Sequence, residues 1–241
     1  MSGSQIRKIE AGDRTPTRDL VEVIEAIPEL ACNGSLMELF DIVEDRLGQN
    51  GAYPGWFEDW VRQEAAARRL RSFEVVVVPG LLQTEEYARA VLSTRVGQTD
   101  EKLDKAVDAR MDRQKILYRD NPAELWAIVD EAVLRRTVGS AETMRKQLEH
   151  LADAARRPNI VIQAIPLEGG AHQGLNGGAF VLADFSEAAS IAYQDTALAG
   201  QIIDKAAEVE ALAITWDTLR LEALPRAASL TLIEEAARTW T

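Results

Sequence analysis

The chain has 241 residues, 46% of them hydrophobic and 27% charged, with a formal net charge of -12. That length and apolar content suffice to bury one main core plus a small appendage, and the acidic balance excludes sequence-wide affinity for nucleic acid, because phosphate binding needs clustered cations. The single cysteine, Cys32, excludes an intrachain disulfide, suits a reducing compartment and reads as a small buried hydrophobe.

No apolar run approaches the length of a membrane span, and the opening MSGSQIRKIEAGD lacks the apolar core of a signal peptide. The expected address is the cytoplasm. In residues 2–19, Ser2 is a good N-cap, Ile6 and Ile9 share a helical face, and Gly12 stands where a helix closes. A second helix is expected over residues 17–27 with Leu20, Val23, Ile24 and Ile27 inward, ended by Pro28. Ser35 then caps a third over residues 36–47, where Leu36, Leu39, Phe40, Val43 and Leu47 repeat at helical spacing. Residues 48–55, GQNGAYPG, read as a linker. The expected division is therefore a helical part, residues 1–50, and a larger body, residues 51–241.

In the body, residues 56–70 read as a helix with Trp56, Phe57 and Trp60 at its start as core aromatics and Arg68, Arg69 and Arg71 at its end. Val75 to Val78 form an unbroken β-branched run that predicts a strand buried on both faces, stopped by Pro79 and Gly80. Thr84 is placed as N-cap of a helix carrying Tyr87, Val91 and Leu92. A further helix is expected over residues 100–118 with Leu103, Val107, Met111 and Leu117 inward and Arg110, Arg113 and Gln114 outward. Residues 124–134 predict a second buried strand ending on Asp130 and Glu131. These neighbours point to opposite faces and make a poor catalytic dyad, so an ion pair with Arg135 or Arg136 is the simpler role. Ser140 starts a helix to about residue 156, and strands follow over residues 160–165, 178–185 and 190–195. Between the first two of these lies EGGAHQGLNGG, residues 168–178, the chain's Gly-rich, His-bearing segment; it lacks P-loop or dinucleotide spacing and reads as a flexible hairpin-type connection. His172 has no partner His within motif distance, and His150 belongs to another helix. Helices over residues 200–222 and 227–240 close the chain. The fold class expected is α/β (α+β): a helical N-terminal part before a mixed sheet of about five strands covered by helices.

Two stretches resemble a known family. Residues 79–88, PGLLQTEEYA, are similar to the hallmark of the C-terminal domain in actinomycete helix-turn-helix regulators of the Xre superfamily, WhiJ-like group, and Arg110 and Gln114 match that family's Arg-x-x-x-Gln. Residues 2–19 resemble the recognition helix of an Xre-type helix-turn-helix and the loop after it. The resemblance places Gly3, Ser4 and Lys8 toward base edges and Ser2, Gln5, Arg14 and Thr15 near phosphates, while Arg7 stands where relatives often carry a smaller polar residue. The two helices that precede this point in a complete domain have no counterpart before Met1, and a start assigned at a GTG codon is one explanation. The family carries a similar Gly-rich loop, and its members often have a Glu near Asp195.

The resemblance implies a transcriptional regulator that contacts DNA through its N-terminal part. Its body would serve dimerisation and binding of an effector or of a small partner protein encoded nearby. No metal set, cofactor loop or nucleophile with its base stands out, so neither a cofactor nor a catalytic residue is expected. Two other readings stay open: an interaction module that sequesters the partner or a full-length relative without touching DNA, and an enzyme built on Asp130, Glu131 and His172.

Overall fold

A computed structural model of the chain describes residues 7, 9, 16–27, 34–37, 39–40, 55–95, 98–195 and 200–240. The chain divides into two compact units, Met1–Gly55 and Trp56–Thr241. In the first, Arg7 and Ile9 are helical, and Arg18–Glu25 forms helix α1 after the extended Thr17. The Glu25 carboxylate accepts from the amides of Gly34 and Leu36, at 3.2 and 2.9 Å, and so tethers the following helical stretch. Arg18 lies 5.2 Å from the Phe40 ring centroid. Val21 and Phe40 are buried, whereas Val23 and Leu39 are exposed. The inward stripe of α1 is thus rotated toward Val21 from the position expected. All seven residues expected to face DNA, Ser2, Gly3, Ser4, Gln5, Lys8, Arg14 and Thr15, lie outside the described residues, as does Cys32.

The second unit is built on six strands. In chain order it runs helix α2 (Gly55–Ala66), β1 (Arg69–Glu74), α3 (Glu85–Leu92), α4 (Asp100–Gln114), β2 (Glu124–Asp130), α5 (Glu131–Arg135), α6 (Ala141–Ala154), β3 (Ile160–Ile165), α7 (Gly174–Gly177), β4 (Phe180–Asp184), β5 (Ile191–Asp195), β6 (Gly200–Ile203), α8 (Ala206–Glu222) and α9 (Arg226–Arg238). The sheet order is β3-β2-β1-β4-β5-β6. β1, β2 and β3 are parallel, and the β1–β4, β4–β5 and β5–β6 pairs are antiparallel. Strand periodicity sorts the side chains. Leu70, Leu125, Ala127, Val129, Ile160 and Ile162 face one helical layer with Trp60, Leu82, Tyr87 and Leu148. Phe73, Ile128, Phe180 and Leu182 face the other, where α8 supplies Val209, Trp216 and Leu219. The mixed α/β class and a sheet covered by helices are as expected, with six strands in place of about five.

Several expected elements are displaced, each for a visible reason. The first strand is Arg69–Glu74, and Val75 to Val77 are bends beyond it, with Val76 exposed. The last β1–β2 pair is Glu74 with Val129, so the valine run has β propensity but no partner strand. Helix α2 stops at Ala66 because Arg68 is drawn into the ladder: its amide donates to the Asp184 carbonyl and its carbonyl accepts from Glu124, both at 2.9 Å. Arg69 and Arg71 then sit in β1 and pair with Glu124 and Asp184 at 2.7 and 2.8 Å. The second strand ends at Asp130, whose carboxylate caps α5 by accepting from the Ala132 amide at 2.6 Å. Residues 200–203, expected to begin a helix, form β6 against β5 instead. The connection of residues 168–178 joins β3 to β4, which are not neighbours in the sheet, so it is no hairpin. It must cross the carboxyl ends of β2 and β1, and it is ordered there by a 3₁₀ turn at Leu167–Gly169 and by α7.

Candidate functional site

Ser72 of β1, Val181 of β4 and Tyr193 of β5 stand in one row across the sheet. Two residues further along each outer strand of that row, on the same face, come Glu74 and Asp195. The sheet register therefore sets two carboxyl side chains at one edge of one face, at the carboxyl ends of β1 and β5. Above them lies a cavity of about 350 Å³, in the range of small-molecule pockets. Its floor is Leu70, Leu125 and Val181, and its aromatic side is Phe57, Trp60 and Tyr193. Trp60 stacks on Tyr193 with centroids 4.8 Å apart, and Phe57 meets Tyr193 edge-on at 5.6 Å. The Tyr193 hydroxyl donates to Asp195.

Glu74 is half-buried, and burial, reinforced by the nearby Asp195 charge, pushes its pKa from 4.5 up to about 8; the Ser72 hydroxyl bond and, more weakly, Arg110 pull the other way. Ser72 Oγ donates to Glu74 Oε1 at 3.2 Å. Burial likewise holds the Tyr193 phenol above its ordinary range, helped by its bond to Asp195. On the helical side, Arg113 of α4 forms a fork with Glu64 of α2 at 2.7 and 2.8 Å, and its guanidinium lies 4.7 Å from the Phe57 centroid. The side chains of that pair are 9% and 4% exposed, so each charge depends on the other.

The remaining wall is the loop of residues 77–83, which contains the start of the PGLLQTEEYA stretch. Pro79 follows the bends, Gly80–Leu82 is a 3₁₀ turn, and Thr84 caps α3 by accepting from the Tyr87 amide at 3.3 Å. Three glutamines hold this loop by its backbone. Gln83 Nε2 donates to the Val78 carbonyl at 2.8 Å, and Gln114 donates to the Gly80 and Gln83 carbonyls at 3.1 and 2.7 Å. Gln147 of α6 donates to the Leu82 carbonyl and accepts from the Thr84 amide, both at 2.7 Å. The Val78 amide donates to the Tyr87 hydroxyl at 3.2 Å. Arg110 completes the set by donating to Gln83 Oε1 at 2.6 Å. A Cβ at Gly80 would stand 3.3 Å from that guanidinium, so a side chain there would require Arg110 to give by a few tenths of an ångström.

This geometry corrects the orientation expected for α4. Gln114 is buried, and Arg110 and Arg113 line the cavity. Polar residues point outward from a helix unless partners await them inside, and here the partners are loop carbonyls and the carboxylate of Glu64. The spacing of Arg110 and Gln114 acquires a structural meaning: residues four apart share a helix face, and both grip the loop of residues 77–83. Glu64, Glu74 and Tyr193 were not singled out from the sequence. For Glu74 the available signal was an acidic residue beside the apolar, β-branched run of residues 75–78.

Asp130, Glu131 and His172 are separated from this cavity by the sheet. Asp130 stands at the end of β2 on the α8 face, and the crossing connection brings His172 onto it, Nε2 to Oδ2 at 2.8 Å. Glu131 turns away, pairing with Arg135 at 2.8 Å, as expected, and accepting from the Leu167 amide at 3.1 Å. The His172 side chain is 3% exposed and meets the Phe73 ring edge-on at 5.9 Å. Gly174 follows so closely over Phe73 that a Cβ would come within 2.1 Å of the ring. The pair thus pins the crossing segment to the end of β2. His150 sits on α6, its pKa lowered by burial. Among the described residues no group of three His, Cys, Asp or Glu side chains could hold a metal, and no helix is long and apolar enough to cross a membrane.

No curated protein and no solved structure matches the chain. One family does match, over residues 57–235, which take in every element from α2 into α9 and the whole cavity; the chain belongs to the family described as Domain of unknown function (DUF5753).

Proposed function

We propose that this protein is a DNA-binding transcriptional regulator whose body, residues 56–241, dimerises and receives an effector or partner. The observation that carries the effector role is the cavity itself. Its wall is the PGLLQTEEYA loop, held by Gln83, Gln114 and Gln147, and its interior combines aromatic rings with carboxyl groups. A loop so heavily braced serves a surface whose shape matters. The DNA-binding role is supported by the resemblance of residues 2–19 to an Xre recognition helix, with Lys8 facing bases and Arg14 facing phosphate.

Fluorescence anisotropy with duplexes from the promoter region of the protein's own gene tests this reading. Affinity should fall with rising salt, by about one unit of log-log slope for each phosphate that a local cation neutralises. Lys8→Ala should relax sequence preference, and Arg14→Ala should weaken all sequences alike and reduce the salt slope by about one. Binding that ignores salt, or no binding at low salt, would overturn it in favour of an interaction module that acts on proteins alone.

A further inference from the structure

Arg95, Arg110 and Arg113 all line the cavity, and the acids beside them are Glu64, Glu74 and Asp195. Arg113 and Glu64 are joined in their fork. Glu74 keeps its proton near neutral pH, so it adds no charge there. With the Ser72 hydroxyl on its Oε1, the acid hydrogen on the other oxygen is a donor. Among the described residues of the lining, what remains is two guanidinium groups, Arg95 and Arg110, against one carboxylate, Asp195, which already accepts from the Tyr193 hydroxyl. The cavity therefore carries a surplus of positive charge in a partly dry site, and an anion there lowers its free energy.

Arg110 adds a second observation. Its Nη1 donates to Gln83 Oε1, a neutral amide oxygen, while its Nε is buried and makes no hydrogen bond. A buried N–H on a cation without an acceptor is costly, and a carboxylate is the acceptor that a guanidinium fits best. Arg110 also acts electrostatically on Glu74, so the two groups address one space. Arg95 reaches that space from just beyond the end of α3, where it is exposed. The rest of the lining says what would carry the anion. Val77, Val91 and Val181 are half-buried and keep apolar surface for a ligand to cover, whereas Trp60 and Tyr193 are almost wholly buried against each other.

We infer that the cavity binds a small monocarboxylate on an aromatic or branched apolar body, with the carboxylate held by Arg110 and Arg95 beside the Glu74 carboxyl and the body against Val77, Val91 and Val181. The inference rests on the reading of the body as an effector-binding module and names the class of effector. A cation would meet the two guanidinium groups, and a dianion would set its second charge against Asp195. A neutral molecule would leave the surplus charge in place.

The test is calorimetric titration of the whole protein, near neutral pH, with three probes of one shape: 3-phenylpropionate, 3-phenylpropanamide and 3-phenylpropylamine. The propionate should bind about tenfold or more tightly than the amide, and the amine should not bind. Arg110→Gln and Arg95→Gln should each weaken the propionate by about tenfold. Arg95 is exposed, so its variant keeps the test decisive if loss of Arg110 disturbs the loop. Asp195→Asn, by contrast, should tighten the propionate by about threefold, since it removes the charge that opposes the anion. Equal binding of propionate and amide, tighter binding of the amine, weakening of the propionate by Asp195→Asn, or no binding of the propionate to the folded protein at millimolar concentration would overturn the inference. DNA binding is measured on the other unit with other variants, so failure of the regulator reading and failure of this one give different results.

Discussion

Glu74 offers the most direct check on the cavity's electrostatics. With its pKa raised from 4.5 to about 8, the folded protein keeps a proton on this side chain that the unfolded chain has released. Between those two values the folded state binds more protons than the unfolded one, so stability is lost as pH rises, at about 1.4 kcal/mol per pH unit. The full interval amounts to at most about 5 kcal/mol. Glu74→Gln removes the dependence, because an amide has no such proton to lose, while it keeps the shape of the side chain and an oxygen for the Ser72 hydroxyl. Urea unfolding of both proteins across this pH range isolates the effect, since titrating groups remote from Glu74 contribute alike to both and only its neighbour Asp195 is coupled to it. The variant should gain on the parent steadily with rising pH, by about 3–5 kcal/mol at pH 8 relative to pH 4.5. A difference that stays flat with pH would show that the Glu74 carboxylate is solvated, and the account of the cavity floor would be wrong.

Arg113→Met should destabilise the fold by about 3–5 kcal/mol, because it leaves the Glu64 charge buried and alone; adding Glu64→Leu should restore most of the loss, which denaturant midpoints would reveal. Gln114→Leu strips the donors from the Gly80 and Gln83 carbonyls, at a cost of about 1–3 kcal/mol for each group left unpaired. Hydrogen exchange should locate the loosening in the loop of residues 77–83 before it reaches the sheet. Gly174→Ala drives a methyl into the Phe73 ring and should cost about 1–3 kcal/mol, detected as a lowered melting temperature; an unchanged melt would mean that the crossing segment lies farther from β1 than described. Thr84→Ala should cost about 1 kcal/mol through the lost cap on α3.

Local chemistry was legible where it acts over a few residues. Thr84 and Ser140 cap their helices as read, and Ile160–Ile165 is a strand over the range expected. What failed depends on partners distant in sequence. Val75 to Val78 look more like a strand than Arg69 to Glu74 do, yet only the latter lie between β2 and β4 with a ladder on each side. Arg110, Arg113 and Gln114 look like a solvated helix face until the loop carbonyls and Glu64 are folded against them. The cavity was invisible for the same reason: Glu74 and Asp195 are 121 positions apart in the numbering and meet only through the β1–β4–β5 register. The pairing of Asp130 with His172 follows from a connection that passes over two strands, which strand lengths alone do not disclose.

Gln83, Gln114 and Gln147 grip oxygens of the main chain, and a main-chain oxygen is the same whatever residue bears it. The outline of that wall is therefore insulated from the identity of the groups it displays, such as Val77 and Leu81. Substitutions at those positions would change the chemistry that the cavity presents while the scaffold stays in place.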